Sequence, residues 1–337
     1  MSSFVSHAHD RYSDNQPGAS DFMPKNNDKS DSEEDNCYTV ITSANNKAYF
    51  YIEAPEEFTK KVLVHVVSHY IGNNTFFEPP QFLVIEGPAG EGKTAQTIAT
   101  LTQHDIDVVY VSGSQLSGNH ERDALNVMNK IYCMAQQRLN KNNTAIIIDD
   151  FHMSILNQDS SMKKTINTNI LTGFLMNLST NCPGQTVPII LTGNDFSMVY
   201  APLLRSGRAD RFKWVPNHDV KIKIVQSILQ GIILDFSQEK YEAFFNQFQN
   251  GSIADFAQLK NDCRKKFVWN IIQNKPRLNR SVIAHLNSDL SSCPDKVSFD
   301  ELYELALKRF NNNHPNVDSK GENESNGNGF ITAETVN

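Results

Sequence analysis

Residues Gln81 to Thr94 read QFLVIEGPAGEGKT. An apolar run, Phe82 to Ile85, feeds a glycine-rich turn, Gly87-Pro88-Ala89-Gly90-Glu91-Gly92, which opens into Lys93-Thr94 and a helix-compatible segment. Strand, GxxxxGK[ST] turn and helix, in that order, make a P-loop. Glycines let the backbone turn its N–H groups toward phosphate oxygens without a Cβ in the way, and the helix N-terminus adds positive dipole. In this reading Gly87, Pro88, Ala89, Gly90, Glu91 and Gly92 wrap the phosphates of ATP. Lys93 reaches the β- and γ-phosphates, and the Thr94 hydroxyl holds Mg²⁺.

Working outward, Ala145-Ile146-Ile147-Ile148-Asp149-Asp150 is a buried-strand pattern that ends in two acids, at the carboxyl end of a sheet, where ligands bind in open α/β folds. Asp149 is the candidate Mg²⁺ acid, acting through water. Asp150 stands where AAA+ ATPases usually have the glutamate that polarises the attacking water, and it is one methylene shorter. A further apolar strand, Val187 to Thr192, leads to Asn194, a candidate sensor of the γ-phosphate. Leu203 to Arg211, LLRSGRADR, resembles the second region of homology of AAA+ ATPases, which implies that Arg205 and Arg208 are arginine fingers reaching a neighbouring subunit's nucleotide. A guanidinium on developing γ-phosphate charge contributes on the order of 10³ to 10⁵ in rate. Arg211 reads as a structural partner for a nearby acid.

Around these motifs, strands and helices alternate from Val108 to Thr192, as a parallel sheet covered on both faces requires. A last strand is expected over Arg211 to Val215. From Asp219 the pattern turns helical. The fold class is therefore α/β, an AAA+ P-loop sandwich over 46–216 followed by a small all-helical lid over 217–312. Ahead of the P-loop, YTVITS and KAYFYI suggest a short hairpin, and Phe58, Val62, Val66 and Tyr70 recur at helical spacing. His65 and His69 lie four apart there, but Val66 stands where a HEXXH motif has glutamate, so satisfied helix histidines are expected.

Residues 1 to about 36 and 313–337 carry few large apolar side chains and read as disordered acidic arms, the first within a disordered or weakly structured stretch over 1–45. Together they carry −8 of a net charge of −7, which leaves the middle of the chain at +1 and argues against a strongly basic nucleic-acid surface. Five scattered cysteines without a CxxC pair fit a reducing compartment and neither a zinc cluster nor a disulfide scaffold. No apolar run approaches the roughly 20 residues that span a membrane, and the first residues lack the apolar core of a signal peptide. A cytoplasmic location is the expectation.

Thr192 to Pro216, TGNDFSMVYAPLLRSGRADRFKWVP, resembles the Rubisco activase family over nearly its whole length. Tyr51 to Val66, Leu171 to Asn181 and Ser252 to Lys260 extend the resemblance, which covers 49–312. It implies an ATP-driven homo-oligomeric ring, a hexamer, that remodels Rubisco and releases inhibitory sugar phosphates. It also implies that Tyr51 and Ile52 line the adenine pocket, that Leu116 to Asn119 and His152 to Met162 form pore loops, and that Lys260 stands at the position of the family's sensor-2 arginine. A plant-type N-terminal recognition domain is not evident in residues 1–48. Two other readings stay open: a nucleotide-dependent scaffold that clusters Rubisco or another partner and turns ATP over slowly, and an AAA+ loader on nucleic acid drawing on Arg264-Lys265-Lys266 and Lys163-Lys164.

Overall fold

The computed structural model describes residues 37–46, 52–71, 78–116, 121–151, 186–197, 201–273, 277–283 and 296–313, with positions 173, 175, 177, 199, 275, 285 and 286. Its strands are β1 (Thr39–Ile41), β2 (Phe82–Glu86), β3 (Asp107–Ser112), β4 (Thr144–Asp149), β5 (Ile189–Gly193) and β6 (Ala209–Lys213). They form one sheet in the order β1-β3-β4-β5-β2-β6. All neighbours run parallel except β1, which pairs antiparallel with β3. The sheet is therefore mixed at one edge.

Each central strand is a near-continuous apolar run because both its faces are covered. Leu83, Ile85, Val108, Ile147 and Ile190 point into one core with helices α1 (Glu56–Ile71) and α2 (Lys93–Gln103). Phe82, Val84, Val109, Ile146 and Ile148 point into a second core with α3 (Glu121–Leu139). Burying each such side chain stabilises the fold by about 1.5–3 kcal/mol.

The register brings the carboxyl ends of three strands level. Glu86 pairs with Gly193 and Ile148 with Leu191, while Ser112 pairs with Asp149. The turn after β2, the acids after β4 and the asparagine after β5 thus meet at one edge.

The last strand begins two residues before its expected start, because Ala209 already pairs with Phe82. The first strand of the expected hairpin forms and joins the sheet, while its expected partner falls almost entirely outside the described residues. Residues 47–51 lie outside the described residues, and Thr39 to Ile41 pair with Tyr110 to Val108. The turn at 42–45 is real: Asn45 Oδ1 accepts from the Thr42 N–H at 2.6 Å.

Beyond Trp214 the described residues form α4 (His218–Leu229), α5 (Gln238–Phe248), α6 (Ile253–Ile272) and α7 (Phe299–Asn313), a helical lid. Asn217 caps α4 by accepting from the Val220 N–H, and Ser252 with Asp255 forms a capping box on α6. One parallel bridge, Ile233 to Val297, interrupts the all-helical pattern. Phe58 of α1 meets Trp214 edge-on at 4.9 Å, so the first core continues into the lid. The arms before residue 37 and after 313 lie outside the described residues.

Candidate functional site

The turn after β2 is held by its glycines. Gly90 and Gly92 adopt φ +77° and +75°, left-handed conformations that L side chains rarely take. A Cβ on Gly90 would lie 2.7 Å from Ser252 Oγ, and one on Gly87 would lie 2.0 Å from the Trp214 carbonyl. The lid therefore closes on the turn: the Ala254 N–H donates to the Gly90 carbonyl at 2.9 Å.

Lys93 is nearly buried and folds back over the turn. Its ammonium donates to the carbonyls of Gly87 and Pro88 at 2.8 Å each and to Asn194 Oδ1 at 2.9 Å. Burial pushes its pKa down from the usual lysine range, while the carboxylates of Asp150, Asp149 and Glu91 pull it back up. A cation already held by uncharged acceptors, in a glycine cradle, is poised to exchange them for phosphate oxygens.

Thr94 donates to Asp149 Oδ1 at 2.5 Å, and Thr192 donates to the same oxygen at 2.5 Å. Tyr110 donates to Oδ2 at 2.8 Å. The hydroxyl and carboxylate that would hold Mg²⁺ are thus already in contact, a hard oxygen pair suited to that cation. Asp150 is exposed, with φ +49°, and its N–H donates to Asp149 Oδ1 at 3.1 Å. Asp149, Asp150, Asn194, Lys93 and Thr94 all line one cavity of about 590 Å³. The opposite wall comes from the lid, with apolar Ile224, Ile228 and Ile253 suited to a base and Lys260 suited to an anion.

Ala89, Gly90 and Gly92 line the cavity as well; Gly87, Pro88 and Glu91 do not. Glu91 turns toward the lid, where its Oε1 accepts from Lys221 Nζ at 2.9 Å and its backbone carbonyl accepts from Trp214 Nε1 at 2.8 Å. Ile52 lines the cavity and is tied to α2 through Gln103, whose Nε2 donates to the Ile52 carbonyl at 2.9 Å; Tyr51 lies outside the described residues.

Neither expected finger lines the cavity. Arg205 is exposed, and Arg208 Nη1 donates to the Pro202 carbonyl at 3.2 Å. Arg211 meets Glu86 at 2.5 Å as a structural pair. Of the expected pore loops, only Leu116 is described, and it is buried in the second core.

His69 Nδ1 sits 2.9 Å from the His65 carbonyl. His65 Nε2 is buried without a partner, which departs from the expectation that both rings are satisfied. No group of three metal-ligating side chains occurs among the described residues, and no described helix is long and apolar enough to cross a membrane.

Motif reading passes over Tyr110, Thr192 and Lys221, and it gives Arg264 a different reading, as part of a basic run facing nucleic acid. Arg264 lines the cavity one helical turn beyond Lys260, so its i+4 spacing on α6 is the signal that could have exposed it.

Residues 83–217 match the profile of the ATPase family associated with various cellular activities (AAA). Ribulose bisphosphate carboxylase/oxygenase activase of Anabaena sp. is 31% identical over 224 residues, which are 62% of this chain and 53% of the relative. The chloroplastic activase of Cucumis sativus is 27% identical over 278 residues, 77% of this chain and 65% of that protein. The chain thus spans about half the length of the curated cyanobacterial relatives it matches. The crystal structure of the FIGL-1 AAA domain superposes with a TM-score of 0.55 at 19% identity, covering 81% of this chain and 86% of that one, a likeness of fold.

Proposed function

We propose, from the premise that this chain is a Rubisco activase-like AAA+ protein, that it hydrolyses ATP in a homo-oligomeric ring, a hexamer, and acts on Rubisco to release inhibitory sugar phosphates. One observation carries the reading. The cavity joins Lys93, Thr94, Asp149, Asp150 and Asn194, while Arg205 lies exposed away from it. Such a site gains a finger when a second copy presents its own Arg205 and Arg208.

In this mechanism Lys93 exchanges the carbonyls of Gly87 and Pro88 for phosphate oxygens. Thr94 and Asp149 would hold Mg²⁺, which when bound neutralises phosphate charge. Asn194 and Asp150 orient the attacking water, and Asp150 accepts its proton. The neighbouring Arg205 and Arg208 stabilise charge that develops on the transferred phosphoryl group. Ile52, Ile224 and Ile228 exclude water around the base, and Lys260 gives the lid an ammonium that follows the phosphates.

The test has two parts. ATP turnover per subunit should rise with protein concentration, and Arg205→Ala should lower turnover about 10³-fold with little change in nucleotide affinity. Full activity in a monomer would refute action in trans. Sugar-phosphate-inhibited Rubisco mixed with the protein and ATP should then recover carboxylation. ATP turnover without recovery across several Rubisco types would leave the ATPase and remove the substrate.

A second reading, a nucleotide-dependent scaffold with slow turnover, draws on Asp150. A carboxylate one methylene shorter than the glutamate usual in AAA+ ATPases stands further from the water. Partner binding that survives both Lys93→Ala and Arg205→Ala would favour the scaffold.

A further inference from the structure

We infer that Tyr110 is a positioning residue for the metal-binding carboxylate, its hydroxyl deciding which oxygen of Asp149 faces Thr94. The inference rests on the nucleotide reading above and deepens it at one atom. A carboxylate turns easily about its last torsion, so its two oxygens are interchangeable unless something distinguishes them. Here the partners are divided unequally. Oδ1 accepts from Thr94 and Thr192 at 2.5 Å each and from the Asp150 N–H at 3.1 Å. Oδ2 accepts from Tyr110 at 2.8 Å.

The tyrosine itself is fixed from both sides. Its backbone pairs with Ile147 of β4 and with Thr39 of β1, and its ring packs against the first core. Tyr110 and Ser112 share a face of β3, and Ser112 is level with Asp149. The phenol therefore has only to lean along its strand to reach the carboxylate. The short antiparallel strand β1 gains a purpose in this arrangement: it backs the strand that carries the phenol.

A hydrogen bond to the remote oxygen of a ligating carboxylate orients the ligand, and removing such a partner typically costs 10- to 100-fold in metal affinity. Tyr110→Phe keeps the ring and its packing and deletes only the hydroxyl. The experiment uses the full chain with ADP as the probe nucleotide. Mn²⁺ binding is read by electron paramagnetic resonance of the free ion, and metal-free ADP affinity is read in chelator with a fluorescent ADP analogue.

The expected result is that Tyr110→Phe weakens Mn²⁺ binding in the presence of ADP about 10-fold or more, while metal-free ADP affinity stays within about twofold. An unchanged Mn²⁺ affinity would overturn the inference, and so would an equal loss of metal-dependent and metal-free binding, which marks a structural role. Failure of the wild-type chain to bind ADP at all would overturn the nucleotide reading, and this inference with it. Thermal unfolding of the apo variant within a few degrees of wild type verifies that the comparison is between folded proteins.

Discussion

The ion pair between Glu91 of the glycine-rich turn and Lys221 of the lid gives the sharpest test of how the two layers are joined. Nζ and Oε1 are 2.9 Å apart, and the side chains are only 14% and 11% exposed, so water screens the pair little. The second oxygen, Oε2, is buried without a partner. Lys221→Met would leave a buried carboxylate without its paired cation, a change that costs about 3 kcal/mol. Glu91→Gln leaves the ammonium one neutral acceptor and costs less, roughly 1–2 kcal/mol. The double variant removes both charges and should sit near the Glu91→Gln value, giving a coupling of about 3 kcal/mol. Urea unfolding followed by tryptophan fluorescence can measure this in a Trp269→Phe background. That leaves buried Trp214, whose Nε1 donates to the Glu91 carbonyl, as the reporter at the joint. Singles that lose less than about 0.5 kcal/mol, or strictly additive losses, would refute the claim that the pair fastens lid to turn.

Three glycines with positive or crowded backbones should separate cleanly. Gly87→Ala drives a methyl into the Trp214 carbonyl and should destabilise the protein severely, whereas Gly207→Ala, at φ +88° with open space around it, should cost only about 1–2 kcal/mol and leave nucleotide binding intact. Gly90→Ala should abolish nucleotide binding by isothermal titration calorimetry, because its methyl meets Ser252 where the lid closes. The histidines of α1 predict an acid weakness. Burial, helped by the charges of His69 and Lys61, lowers the His65 pKa from 6.5 to about 3. The unfolded chain therefore binds a proton below about pH 6.5 that the folded chain refuses, so stability is full above that pH and falls as pH drops toward 3. At pH 5 this one group removes about 2 kcal/mol. His69 is lowered in the same direction. His65→Leu should flatten the fall in melting temperature between pH 7 and pH 5, and an unchanged slope would refute the assignment.

Much of this was legible because it is written in consecutive residues. The apolar run before Gly87, the run before Asp149 and the run before Asn194 each encode a buried strand with its polar end, and parallel pairing then makes the ends level. What was not legible depends on pairing across the sheet or between layers. Tyr110 reads as one more apolar residue of β3 until its strand is set beside β4. Glu91 reads as a phosphate-loop residue until Lys221, 130 positions away, claims its carboxylate. Leu116 reads as the start of a loop, yet its side chain is 2% exposed, because the second core takes it up. The pairing of Thr39 with Tyr110 joins residues far apart in the chain, which local turn and strand signals do not report.

The run Arg264-Lys265-Lys266 shows how three adjacent cations can have three destinations. Successive residues on a helix point about 100° apart, so they cannot share a face. Lys265 reaches back to Asp262 at 3.2 Å and Lys266 crosses to Glu301 of α7 at 2.6 Å, where the pairing lowers the pKa of the Glu301 carboxyl. Arg264 lines the cavity proposed to take nucleotide, on the side that also carries Lys260. The basic stretch is thus divided between lid packing and the site, which weakens the reading of it as a nucleic-acid contact. The expected signature is selective. Arg264→Ala should weaken ADP or ATP binding by roughly fivefold to tenfold, the loss of one partly solvated charge-assisted contact, whereas Lys265→Ala and Lys266→Ala should leave it within about twofold. Titration calorimetry on the three variants measures this directly. Equal effects in all three would return the run to the status of a general positive field. Binding of duplex DNA that falls steeply with salt and is lost in all three would revive the nucleic-acid reading.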